Sequence, residues 1–224
     1  MVKLIPYTEY EEARNRAHRL VEDVRKHPSI RGHFKFDCRP IGSQKRRCII
    51  KDRNGKYDLD FQIVLTKNSK DRDSNPTAIK KAFLRAFTEC RNQNERVEDS
   101  TTVVTVRCSK NQGKYDTSKE IFSFDFVIIS IDEAKRIRRN GLNKYTWVEL
   151  PSRNAYIYDL YKRLNSTQQR DLLEKHLIPR IIKEKQKDEN LRCPTIDLFY
   201  QEVNNYYQRK NCNDKRGITR SNTF

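Results

Sequence analysis

Apolar residues recur at three- and four-residue intervals over residues 8–26, where Tyr10, Ala13, Ala17, Leu20, Val21 and Val24 form one stripe. This spacing predicts an amphipathic helix. Thr8 and Glu11 stand in capping-box spacing at its start, and Pro28 sets its end. The period then drops to two. Phe34-Lys35-Phe36-Asp37-Cys38 alternates as a strand does and leads into Pro40-Ile41-Gly42-Ser43. A polar, basic stretch over residues 44–56, with the turn pair Asn54-Gly55 near its end, connects to a second strand at residues 57–65. After a polar loop over residues 66–75, Pro76 stands where the first turn of a helix tolerates it, and Ile79, Ala82, Phe83, Ala86 and Phe87 make the apolar stripe. Two β-rich runs, 101–108 and 121–129, flank a loop containing Gly113 and are expected to be neighbouring antiparallel strands.

Past Glu149 the texture changes, and residues 155–164, 167–187 and 195–208 all carry helical periodicity. The polar end, 210–224, is expected to fray. The fold class is therefore α/β in the α+β sense: a core over residues 1–150 with a mixed or antiparallel sheet, followed by a helical lobe over residues 151–224. No internal repeat interrupts this order.

Charge narrows the partners. Lys plus Arg exceeds Asp plus Glu by 47 − 30 = +17 over 224 residues, so polyanions are the natural ligands of the surface. With 35% hydrophobic and 10% aromatic residues and only 6 Gly, the chain nonetheless builds a core. The amino terminus does not read as a signal peptide, and no run approaches the roughly 20 apolar residues of a membrane span. Cys38, Cys48, Cys90, Cys108, Cys193 and Cys212 form no C-x-x-C pair, and His18, His27, His33 and His176 show no ligand spacing. These features predict a reduced, cytoplasmic protein with no membrane partner and no structural zinc.

The candidate chemistry lies in Asp58-Leu59-Asp60. Alternate side chains of a strand share a face, so two carboxylates project together roughly 7 Å apart. Such a pair repels itself and calls for something cationic. Gly42-Ser43, at the end of the preceding strand, supplies a glycine that allows close backbone approach and a hydroxyl that, with backbone amides, can hold a phosphate. In Phe122-Ser123-Phe124-Asp125-Phe126-Val127, Asp125 interrupts an otherwise apolar or small face of a central strand. A carboxylate placed there needs a metal or a basic partner.

Gly42-Ser43, fourteen residues, Asp58-Leu59-Asp60 and finally Asp125 together resemble the nucleotidyltransferase superfamily of the DNA polymerase β type. The local pattern is most similar to the bacterial cGAS/DncV-like enzymes and the oligoadenylate synthases. The chain departs from them at Arg47-Cys48, where Gly-Thr is usual, and at Lys185-Gln186, where a tryptophan is common. The resemblance implies two Mg²⁺ ions, for which Mn²⁺ can substitute, held by Asp58, Asp60 and Asp125. It implies NTP substrates such as ATP or GTP, with Gly42, Ser43, Lys45, Arg46 and Lys183 on their phosphates. The product expected from it is a cyclic or linear oligonucleotide messenger of antiphage defence.

Tyr145 and Trp147, between the strands and the helical half, are candidates for stacking on a base, and Tyr200, Tyr206 and Tyr207 divide between core and stacking roles. The basic clusters 45–47 and 135–139 suit either an RNA acceptor or activator or a solvated surface. Two other functions therefore stay open: transfer of nucleotides to an RNA end such as tRNA, and a non-catalytic basic nucleic-acid-binding module.

Overall fold

The computed structural model describes residues 3–45, 49–52, 54–66, 75–110, 115–130, 135–150, 155–187 and 195–218. The chain divides into two compact units, Lys3–Pro151 and Ser152–Phe224.

In the first unit the long helix α1, Tyr7–Lys26, buries all six residues of the predicted stripe. It starts one residue before Thr8, with Pro6 at the cap position and no side-chain cap, so the expected capping box does not form. Its end is as expected. His27, in front of Pro28, is extended at φ −63° and ψ 138°, because a residue before proline is driven out of the helical region. The next strand, β2, is Phe36–Pro40 rather than 34–38. The amides of His33 and Phe34 are still turned back onto the Ile30 carbonyl at 3.0 Å each, which holds Phe34 out of the ladder.

A one-turn helix α2, Gly42–Lys45, follows, and then β4, Tyr57–Leu65. A two-residue pair, β1 (Lys3–Leu4) with β3 (Ile50–Lys51), lies beside the main sheet and was not foreseen. Helix α3, Pro76–Cys90, begins with proline in its first turn, and the Asn75 side chain accepts from the amides of Thr77 and Ala78. The remaining strands are β5 (Glu95–Asp99), β6 (Val103–Ser109), β7 (Glu120–Ser130), β8 (Lys135–Arg139) and β9 (Tyr145–Glu149).

Among the described residues the main sheet has seven strands in the order β2-β4-β7-β6-β5, with β8 continuing on β7 and β9 on β8. β4 and β7 run parallel at its centre, and every other pair is antiparallel, including the expected β6–β7 neighbours. One face carries Leu59, Phe61, Ile63, Phe124 and Phe126 into a core shared with α1 and α3. Phe61 stacks on Phe126 at 5.2 Å, and Phe87 of α3 meets Phe126 at 4.6 Å. The opposite face carries Asp58 and Asp60 of β4 and Ser123 and Asp125 of β7.

The second unit is helical: α4 (Ala155–Arg163), α5 (Ser166–Asp171), a π-helical turn over Leu172–Leu177, α6 (Ile178–Lys187) and α7 (Thr195–Ile218). The expected helix at 167–187 is thus α5 and α6 joined through the π turn. The expectation that the chain frays from residue 210 is corrected as far as Ile218, where α7 ends; residues 219–224 lie outside the described residues.

Candidate active site

The parallel register of β4 and β7 decides the site. It sets Asp58 opposite Ser123 and Asp60 opposite Asp125, while β6 sets Thr105 opposite Asp125 and Arg107 opposite Ser123. Asp58, Asp60 and Asp125 therefore share one sheet face on adjacent strands.

The turn after β2 closes against this face. Ile41 N–H donates to the Asp60 carbonyl at 2.9 Å, and Gly42 follows with φ +60°. A Cβ at Gly42 would stand 2.3 Å from Asp60 Oδ2. Both the left-handed backbone and the missing side chain are thus required, which explains a glycine at this place. Ser43 is half-buried one residue on, and Lys45 is exposed at the end of the turn. Arg46 lies outside the described residues. Gln44 is buried with both amide atoms unpartnered among the described residues.

Hydroxyl groups hold two of the acids. Ser123 Oγ donates to Asp58 Oδ1. Thr105 Oγ1 donates to Asp125 Oδ1 at 2.6 Å and lies 3.0 Å from Ser100 Oγ. Among the described residues neither Asp58 nor Asp125 has an ion-pair partner. Burial pushes the Asp125 carboxyl above its ordinary range; the Thr105 hydrogen bond pulls it down and the charge of Asp58 pushes it further up. Arg107 is the nearest cation in the register, but its donors are taken by Glu98 at 2.8 Å and Glu120 at 3.0 Å. Sequence reasoning missed the hydroxyl pair Thr105 and Ser123; their one signal was a polar residue on the carboxylate-bearing face of each strand.

Among the described residues no group of three or more His, Cys, Asp or Glu side chains stands in a metal-holding arrangement. Asp58 is turned to Ser123, Asp125 to Thr105, and Asp60 lies against the Gly42 turn. The donor set nevertheless fits a hard divalent cation, which takes carboxylate oxygens: three acids aligned by register, two of them with hydroxyl partners only.

The remaining expected site residues are placed differently. Tyr145 is 7% exposed, within the core, and its hydroxyl donates to Asp99, so its ring offers no open face to a base. Trp147 is half-buried against the same core, in register with Ile137. Strand alternation splits the basic cluster 135–139: Ile137 and Arg139 point to the core side, where Arg139 pairs with Asp99 at 2.5 Å, and Arg136 and Arg138 point to the other. Lys183 is exposed on α6 of the second unit. Within that unit Arg180 joins α6 to Glu202 of α7 at 2.5 Å, and Tyr207 donates to the Leu160 carbonyl at 2.7 Å. Tyr206 meets His176 edge-on at 6.1 Å, and Tyr200 lies 5.8 Å from Phe199. Among the described residues no helix is long and apolar enough to cross a membrane.

No family model and no curated protein matches this sequence. Solved structures do match in fold. The Vibrio cholerae di-nucleotide cyclase DncV in complex with GTP and 5MTHFGLU2 superposes with a TM-score of 0.53 at 15% identity, over 89% of this chain and 54% of that one. The 3′-deoxy ATP-bound form of the same protein gives 0.51 at 14% identity, over 89% and 52%, and its GTP-bound form 0.51 at 13%, again over 89% and 52%. The chain spans about half the length of these structures. The chain shares the fold of the di-nucleotide cyclase DncV.

Proposed function

We propose that this protein transfers a nucleoside monophosphate from an NTP to a nucleotide hydroxyl and so builds a linear or cyclic oligonucleotide. One observation carries the reading: the β4–β7 register aligns Asp60 with Asp125 beside Asp58, against a glycine turn that tolerates no side chain. Two Mg²⁺ ions, when bound, supply a lowered pKa at the attacking hydroxyl and neutralise charge on the phosphates. Asp58, Asp60 and Asp125 would hold these ions.

Ser43 and the amides of the Gly42 turn bind the terminal phosphate, with Lys45 as a further cation; the same role for Arg46 and Lys183 rests on the sequence resemblance alone. The acceptor oxygen forms a bond to the α-phosphorus, the bond from that phosphorus to the β-phosphate oxygen breaks, pyrophosphate leaves, and the hydroxyl proton passes to solvent. The fold supports this reading because DncV, named a di-nucleotide cyclase, shares it and is seen with GTP. A role for the product in antiphage signalling within the cytoplasm rests on the sequence resemblance alone.

The +17 charge favours a second reading, transfer to an RNA end. Incubation of the full chain with labelled NTPs and Mg²⁺ separates the two. Pyrophosphate with a low-molecular-weight oligonucleotide is the expected result, and labelled RNA is the result of the second reading. No product from any NTP or RNA overturns both and leaves a non-catalytic basic module.

A further inference from the structure

Thr105 stands on β6 among Val103, Val104 and Val106. A strand built only for the core would carry a fourth valine there, because Val and Thr have the same shape and a buried hydroxyl is costly unless it is hydrogen-bonded. Thr105 is 4% exposed, so its hydroxyl must be satisfied inside the protein. Directly opposed residues of an antiparallel pair share a face, and the register sets Thr105 against Asp125. The hydroxyl donates to Asp125 Oδ1 at 2.6 Å.

A hydroxyl carries one proton. With the Thr105 proton committed to Asp125, Ser100 Oγ, 3.0 Å from Thr105 Oγ1, must be the donor in the second contact. The relay therefore runs one way, from Ser100 to Thr105 to Asp125 Oδ1, and each donor polarises the next. Among the described residues Asp125 Oδ2 accepts no hydrogen bond.

Ser100 follows β5 directly and begins the turn into β6. That turn is held from outside. Buried Lys80 of α3 donates to the Val103 carbonyl at 2.6 Å and reaches the Ser100 carbonyl at 3.5 Å. From β8, the Arg139 amide donates to the Thr101 carbonyl at 2.7 Å and the Arg139 guanidinium to the Asp99 carbonyl. Four of the five residues from Asp99 to Val103 thus have their carbonyl held by another element, which fixes the place of the Ser100 hydroxyl.

We propose that Thr105, braced by Ser100 on this held turn, is a positioning residue: it tethers Oδ1 of Asp125 and leaves Oδ2 as the oxygen offered to a divalent cation. The inference rests on the cation-binding part of the reading above and is independent of the acceptor. A hydrogen-bond partner that orients a carboxylate ligand sets its affinity for the ion without touching the ion.

The test is a calorimetric titration of Mn²⁺ into the full chain with a non-hydrolysable NTP. Thr105→Val should weaken uptake about tenfold, as removal of a ligand's hydrogen-bond partner does. Thr105→Ser returns the hydroxyl and should restore wild-type affinity. Ser100→Ala, at a half-buried position, should give a loss of about threefold, smaller because Thr105 keeps its own bond to Asp125. Thr101→Val, exposed in the same turn, should change nothing. In an Asp125→Asn background Thr105→Val should cause no further loss, because Thr105 acts through that carboxylate. Melting in EDTA reports the fold of each variant, and Ser100→Ala carries the test if Thr105→Val does not fold.

Unchanged affinity in Thr105→Val or Ser100→Ala, no rescue by Thr105→Ser, an equal loss in Thr101→Val, or an additive loss on Asp125→Asn would overturn the positioning role. Mn²⁺ uptake by wild type keeps the cation site in each of these cases. No uptake by wild type overturns both. Uptake with the expected losses but no pyrophosphate release from any NTP upholds Thr105 and rejects the transfer reaction.

Discussion

Asp99 and Asp125 sit on the same sheet and are treated in opposite ways. Asp99 is neutralised from two sides: Lys80 Nζ lies 3.4 Å from Oδ1, which accepts no hydrogen bond, while Arg139 at 2.5 Å and the Tyr145 hydroxyl meet Oδ2, so that α3, β5, β8 and β9 are tied to one carboxylate. Asp125 is half-buried with only the Thr105 hydroxyl on it and with Asp58 near enough to raise its pKa. With 47 basic residues the chain does not lack cations to place there. An acid that serves the fold is neutralised by the fold, and an acid left beside other acids is what a bound cation would need.

The largest effect expected from this contrast is on activity. Asp58→Ala, Asp60→Ala and Asp125→Asn should each lower nucleotidyl transfer by at least about 10³-fold, on the order of 4 kcal/mol. The melting temperature of Asp125→Asn should equal or exceed that of wild type, because burial and repulsion are both relieved. Wild-type turnover in any of the three, measured by pyrophosphate release, would remove that residue from the site.

Asp99→Asn should do the reverse. It leaves Lys80 and Arg139 facing a neutral group and should destabilise by about 3 kcal/mol, lowering the melting temperature by on the order of 5–10 °C. An unchanged melting temperature would erase the contrast.

Gly42→Ala forces a side chain toward Asp60 Oδ2 in a left-handed conformation. It should cost about 1–2 kcal/mol in denaturant melts and on the order of 10²-fold in turnover. Full activity would show that this turn does not position Asp60.

The smallest effect is a pH dependence in the Asp99 cluster. Burial lowers the Lys80 pKa from 10.5 to about 8, against the opposing pull of Asp99. The unfolded chain then holds the Lys80 proton in a window where the folded chain does not, so stability should rise between pH 8 and pH 10.5, by at most about 1.4 kcal/mol per decade of pH. The same melts on Lys80→Met should lack that rise.

The sequence was legible where one local rule decided the structure. The α1 stripe, the start of α3 at Pro76, and the alternation of β4 and β7 all depend on periodicity or on a single proline, and Asp58, Asp60 and Asp125 follow from alternation. What stayed hidden depends on pairing. Lys135-Arg136-Ile137-Arg138-Arg139 is four-fifths basic and reads as a charged patch; it is a strand because β7 and β9 offer it ladders on both sides. β5 is likewise a charged segment made into a strand by β6. Tyr145 belongs to the core for the same reason: β9 docks beside α3, and the backbone amide of Tyr145 donates to Thr77 Oγ1 at 3.1 Å. The hydroxyls of Thr105 and Ser123 gain meaning only once register sets them opposite or beside the acids.

The most direct measurement is a calorimetric titration of Mn²⁺ into the full chain in the presence of a non-hydrolysable NTP, with Asp58→Asn and Asp60→Asn alongside. Two ions per wild-type chain, with at least one lost in each variant, is the result that a cation site on the aligned carboxylates of β4 and β7 requires. Saturation without measurable Mn²⁺ uptake, or uptake unchanged in both variants, would mean that these acids are not held for a cation.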